Sequence, residues 1–177
     1  IWNCGGSYSW PGNIRYFHAN KDISTVPQAG HIDITFITGC ALLYDYQKVG
    51  PLSNKFFFGE EDNELSFRIR RMGYKMACVY ESVIYHKVSN SIKNSSNVIA
   101  NRAQVLYLNR FINFKYQYSY LNFLVCMIIN TLYGIPMLII RHRISPIKSI
   151  SLFYTCIKDA LNLECVSKEK FEEIILQ

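Results

Sequence analysis

Leu121 to Ile140 is a run of twenty residues without a formal charge, bracketed by Lys115 on one side and Arg141-His142-Arg143 on the other. As a helix it is about 30 Å long, the thickness of a hydrocarbon core. Such a run has two destinations. It is a membrane-embedded or interfacial helix, or it is buried in a hairpin of helices packed on the rest of the chain. Asn122, Asn130, Thr131, Gly134 and Pro136 weaken it as an isolated span. The flanking pattern is helical as well. Val98, Val105, Leu108 and Ile112 would lie near one face of a helix from Val98 to about Phe114. An amphipathic helix is expected from Ile147 onward, and a short terminal one after Ser167.

The first ninety or so residues read differently. Residues 1–32 are rich in Gly, Pro, Asn and Ser, with turn signals at Gly5-Gly6 and Pro11-Gly12. They predict ordered loop with short strands. Ile32 to Ile37 is β-branched and aromatic, as a strand requires, and Ala41 to Val49 predicts a short helix closed by Gly50-Pro51. The best-defined element follows the acidic run Glu60-Glu61-Asp62. Leu65, Ile69 and Met72 recur at helical spacing, acids open the helix, Arg68, Arg70 and Arg71 lie near its end, and Gly73 stops it. Strands are expected at Lys75–Tyr80 and Ser82–Lys87, before a polar loop at Ser89–Asn97.

Half of the residues are apolar and 15% are aromatic, enough to build a core and to exclude wholesale disorder. A net charge of +6 points to an anionic partner. The basic residues are scattered rather than striped and no recognition motif appears, so nucleic acid is not expected to be that partner. The six cysteines include no C-x-x-C pair, which supports neither a zinc knuckle nor a dithiol motif and favours a reduced compartment. The opening Ile1-Trp2-Asn3-Cys4 is no signal peptide and reads as the interior of a longer protein.

Five pieces stand in order between Gly39 and His86. They are Gly39-Cys40-Ala41, then Val49-Gly50-Pro51-Leu52, then Phe56-Phe57-Phe58-Gly59-Glu60-Glu61-Asp62-Asn63-Glu64-Leu65 running to Arg68. Arg71-Met72-Gly73-Tyr74 and Tyr85-His86-Lys87 complete the set. The ordered set resembles the inverting family 2 glycosyltransferases of the GT-A fold, in particular the rhamnosyltransferase-like branch that builds bacterial surface polysaccharides such as O-antigen. The resemblance covers roughly Ile1 to Ser91. It implies an α/β fold, the acceptor-side half of a GT-A domain (1–92), followed by a mainly helical tail. That tail would comprise a connecting helix (93–120), an apolar membrane-associated helix (121–145) and a helical end (146–177).

The resemblance also implies chemistry. A sugar passes from a nucleotide-diphospho-sugar donor to a hydroxyl of a glycan or lipid-linked acceptor, and a carboxylate must take the hydroxyl proton. By this likeness Asp62 is that base and Glu61 its neighbour, fixing geometry or touching the acceptor. Gly39 and Cys40 border the acceptor site, and Glu64 and Arg68 are acceptor or phosphate contacts. His86 falls where a late histidine completes the coordination of Mg²⁺ or Mn²⁺. The main D-x-D ligands of that cation and the nucleotide-binding strand are absent, so this stretch alone is expected to be catalytically silent. The implied location is the cytoplasmic face of the bacterial inner membrane. Plainer readings stand beside these. Glu60-Glu61-Asp62 also suits a helix cap, Glu64–Arg68 an i,i+4 salt bridge, Cys40 a small apolar residue and His86 a structural histidine. The alternative function is a non-catalytic membrane-associated remnant or interaction module, with Arg141, Arg143 and Lys148 set to meet anionic lipid.

Overall fold

The computed structural model describes residues 1–85 and 96–176 of this mixed α/β chain. Two compact units emerge, one built from Ile1–Ser53 and the stretch from Glu61, the other from Asn54–Glu60 and the helical C-terminal region. The strap Asn54–Glu60 belongs to the helical unit, whereas the sequence groups it with the N-terminal domain.

In the first unit, β1 (Gly6–Ser9) and β2 (Asn13–Tyr16) form a hairpin around the turn signalled by Pro11-Gly12. A second antiparallel pair joins β3 (His31–Ile34) to β4 (Met76–Val79), with Ile32 opposite Cys78 and Ile34 opposite Met76. The period-2 alternation puts these four side chains on one face. There Ile34 and Met76 form a core with Val49, Leu65 and Ile69. β3 is shorter than the expected strand. Its continuation is captured instead by Gly6, whose carbonyl accepts from Phe36 N at 3.0 Å.

Only the end of the helix expected at Ala41–Val49 forms. α1 (Tyr46–Val49) starts where Asp45 caps it, accepting from Gln47 N and Lys48 N at 3.1 and 3.2 Å. α2 (Glu61–Arg71) matches expectation. Gly73 N donates to Arg70 O and Tyr74 N to Ile69 O, the paired bonds of a Schellman stop. Met72, expected on the buried stripe, is the residue just past the helix and lies exposed. No strand forms at Ser82–Tyr85, where Val83 N turns back to Glu81 O and Val83, Ile84 and Tyr85 are exposed. The rest of that expected strand lies outside the described residues.

The second unit is a helical assembly of α3 (Ser96–Gln117), α4 (Tyr120–Ile140), α5 (Pro146–Asn162) and α6 (Lys168–Ile175). Ser145 and Ser167 cap the last two, each accepting from the amide three residues on. α3 does not present the single apolar face that its spacing suggests. Tyr107, Leu108, Asn109, Phe111, Ile112, Asn113 and Phe114 are all buried, because α4, α5 and α6 each pack against it. The strap joins this unit through a parallel bridge, with Phe57 N bonded to Val166 O and Val166 N to Lys55 O.

α4 closes on its neighbours at Gly134. A Cβ there would come within 2.2 Å of Phe153 Cζ and 2.7 Å of the Tyr107 hydroxyl. Both rings are buried and packed against each other, tilted by 54° with centroids 4.5 Å apart, so neither can yield cheaply. Alanine gains about 1 kcal/mol of helix propensity over glycine, while overpacking a tight core costs about 1–3 kcal/mol. With ring contacts this short the clash dominates. Gly134→Ala is therefore expected to lower the thermal midpoint of unfolding by several degrees, whereas a midpoint that rises would mean that α4 shifts freely.

Candidate active site

The first turn of α2 holds three acids, Glu61, Asp62 and Glu64, where the unsatisfied amides and the helix dipole favour negative charge. Asp62 is half-buried. Its Oδ1 accepts from Asn63 N at 2.8 Å, and its Oδ2 accepts a long bond of 3.4 Å from Gly39 N. A second tie fixes the same approach. Ser66 Oγ donates to Asp62 O at 2.7 Å and accepts from Ile37 N at 3.0 Å, so the segment leaving β3 is stitched along the start of α2. Two candidate positions separated by 23 residues thus meet. Cys40, next along, is exposed, with its sulfur 3.5 Å from Thr38 Oγ1.

Gly39 is not held to glycine by space. A Cβ there would sit 3.8 Å from Asp62 Cβ, an ordinary contact. Glu61 is partly buried, and its Oε2 is sequestered with no hydrogen-bond donor among the described residues. A buried carboxylate oxygen normally has a partner.

Arg68 and Glu64 are engaged with each other and with the turn after α1. Arg68 Nε and Nη2 donate to the two Glu64 oxygens at 3.0 and 3.1 Å. Nη1 donates to Val49 O, and Nη2 also to Pro51 O at 2.8 Å. The guanidinium fork therefore pairs with Glu64, as the plain salt-bridge reading has it, and also staples the Val49-Gly50-Pro51 turn to α2. His86 lies outside the described residues. Among those residues no group of three or more His, Cys, Asp or Glu side chains is arranged to hold a metal.

No protein-family model, curated protein or solved structure matches this chain.

The sequence reading missed Glu60 as more than a cap residue. It is 6% exposed, adopts φ +69°, and takes bonds from Arg110 Nε at 3.2 Å and Asn113 Nδ2 at 3.1 Å. Asn109 Nδ2 reaches Phe58 O at 2.8 Å beside it. A signal was present. Asn109, Arg110 and Asn113 interrupt an otherwise apolar stretch of α3, and polar groups in a buried helix require a buried partner. Breaking a buried ion pair by removing one member costs about 3–5 kcal/mol. Glu60→Ala is expected to lose about 3 kcal/mol in denaturant unfolding, near the low end because Arg110 keeps some solvent contact. Glu60→Gln, which retains one acceptor, should lose roughly half of that. Equal stability for both variants and the parent would remove the pair from the account of the fold.

Proposed function

We propose that the chain is the acceptor-side part of an inverting family 2 glycosyltransferase of the GT-A fold, acting in surface polysaccharide synthesis. It would help to move a sugar from a nucleotide-diphosphate donor to a hydroxyl of a glycan or lipid-linked acceptor. The observation that carries this reading is the meeting of Asp62 with Gly39, two pieces of one ordered motif set. In the reaction, the acceptor oxygen attacks the anomeric carbon while its proton passes to the Asp62 carboxylate. The bond to the diphosphate breaks on the opposite face of the sugar, as inversion requires. Exposed Cys40 fits the rim of the same site.

This reading brings with it Mg²⁺ or Mn²⁺ on the donor diphosphate. The described residues do not assemble a site for it.

The test is Asp62→Asn in the full gene product, with sugar transfer followed across a panel of nucleotide-diphosphate sugars. Asparagine keeps an acceptor for the Gly39 amide, so folding and the thermal midpoint should hold. Loss of a general base should lower kcat about 10²–10⁴-fold. Transfer at the parent rate sinks the assignment of Asp62 as base.

A second reading, a membrane-associated module without transferase activity, is favoured by α4. Among the described residues it is the one helix long and apolar enough to cross a membrane, and only 28% of its most apolar stretch is buried. Leu121, Ile128, Leu132, Tyr133 and Ile140 are exposed, and Arg141, Arg143 and Lys148 follow. Basic side chains beside an exposed apolar face suit an anionic membrane surface, and the transferase reading would put that surface at the cytoplasmic face of the bacterial inner membrane. Flotation with vesicles containing anionic lipid should recover the parent chain. Leu132→Glu should weaken that recovery about tenfold or more. A chain that stays with the soluble fraction removes the membrane from both readings.

A further inference from the structure

α5 leaves an apolar row uncovered. Ile147, Ile150, Tyr154 and Leu161 are exposed at i, i+3, i+7 and i+14, along one side of the helix. Its inner side is held by α3, where Phe153 packs on Tyr107 and Phe111 and the Cys156 thiol donates to Gln104 O at 3.4 Å. α4 repeats the arrangement. Leu121, Ile128 and Leu132 are exposed on the side opposite buried Phe123, Cys126, Met127 and Gly134. Both helices pack on α3 and on each other, so their outward rows adjoin in one apolar face.

The charge around this face has one sign. No Asp or Glu stands between Glu81 and Asp159, while Arg141, Arg143, Lys148 and Lys158 are exposed on or between the two helices. Lys158 borders the α5 row, where its stem can lie along apolar surface while the ammonium reaches a phosphate. A second copy of the face would bring the same cations together with no acid to meet them, which disfavours self-association. An anionic lipid surface meets both the apolar rows and their cations.

We propose that α4 and α5 lie side by side in one leaflet of an anionic bilayer, with α4 in the plane of the membrane rather than across it. This rests on the membrane-associated reading and gives it a geometry. α5, packed along α4, carries Lys148, Lys158 and Asp159, and α3 carries Arg110 in its pair with Glu60. A bilayer surrounding α4 would draw these charges into hydrocarbon. The packing therefore admits lipid on the outward side alone, and there α5 enters with α4.

The experiment places one indole on each helix of the full chain. Trp2→Phe and Trp10→Phe remove the native ones, and Leu132→Trp or Tyr154→Trp adds one at an exposed apolar position. Vesicles of phosphatidylglycerol and phosphatidylcholine carry bromine either close to the headgroup or at the chain ends. Both indoles should be quenched, and more by the shallow bromine than by the deep one. Leu132 lies near the middle of α4, so a crossing helix would instead make the deep bromine the stronger quencher there and leave Tyr154→Trp unquenched. That result overturns the in-plane geometry and keeps the membrane reading. The parent chain should float with these vesicles and not with phosphatidylcholine alone. Replacing Arg141, Arg143 and Lys148 together by Gln should weaken its binding about 10²-fold, about fivefold for each cation. Equal binding to neutral and anionic vesicles overturns the choice of lipid. A chain that binds neither, whether it sediments as a monomer or as a dimer, overturns the proposal together with the membrane reading.

Discussion

A carboxylate that is 6% exposed must be met by donors, and Glu60 is met by Arg110 and Asn113 on α3, the helix that packs against α4, α5 and α6. That requirement organises the helical unit. The strap ending in Glu60 is fixed residue by residue, with Lys55 stacked over the Tyr116 ring at 3.0 Å and Phe56 bridged to Val166. Phe57 and Phe58 both pack on Phe171 of α6. The left-handed backbone at Glu60 is strain that this surrounding order sustains. The next residue opens α2, so the most constrained polar contact of one unit immediately precedes the candidate chemistry of the other.

How far the sequence could be read followed how local the deciding forces were. α2 was legible from end to end because its acids, its buried pair Leu65 and Ile69, and its glycine stop all act within a few residues. α5 and α6 were legible from Ser145 and Ser167, which cap them with their own side chains. α3 formed where expected with Val105, Leu108 and Ile112 buried, but packing against three helices also buries Tyr107, Asn109, Phe111 and Phe114, beyond the one face that periodicity picks out. Ser82–Tyr85 misled because β-branched and aromatic residues favour a strand only where another strand accepts the pairing. The early part of the expected helix at Ala41 lost to Asp45, whose carboxylate offers the chain a later and better start.

The long apolar run shows why neither destination could be chosen from its composition. Two of the polar residues that count against a span are satisfied inside the helix itself. Asn130 Nδ2 donates to Cys126 O, and Thr131 Oγ1 to Met127 O, each at 2.8 Å. Side chains folded back in this way add little polar surface, so they are weak evidence against an apolar environment. Gly134, which weakens the run by propensity, sits where an added Cβ would fall 2.2 Å from the buried Phe153 ring. One face of the helix is thus committed to protein, while the exposed leucines and isoleucines leave the opposite face apolar and open.

The candidate site divides along the same line. A motif set read as chemistry mixes residues that act with residues that hold. Arg68 and Glu64 spend their hydrogen bonds on each other and on two backbone carbonyls after α1, which accounts for their spacing without any substrate. Gly39 has room for a side chain and no strained backbone, so what matters at that position is the amide that reaches Asp62 rather than the absence of a Cβ. Ser66 is not among the motif's chemical residues, yet it closes the link from Ile37 to the carbonyl of Asp62. Backbone and hydroxyl contacts thus contribute to the orientation of Asp62. The functional reading rests on the carboxylate and its half-buried setting at a helix N-terminus.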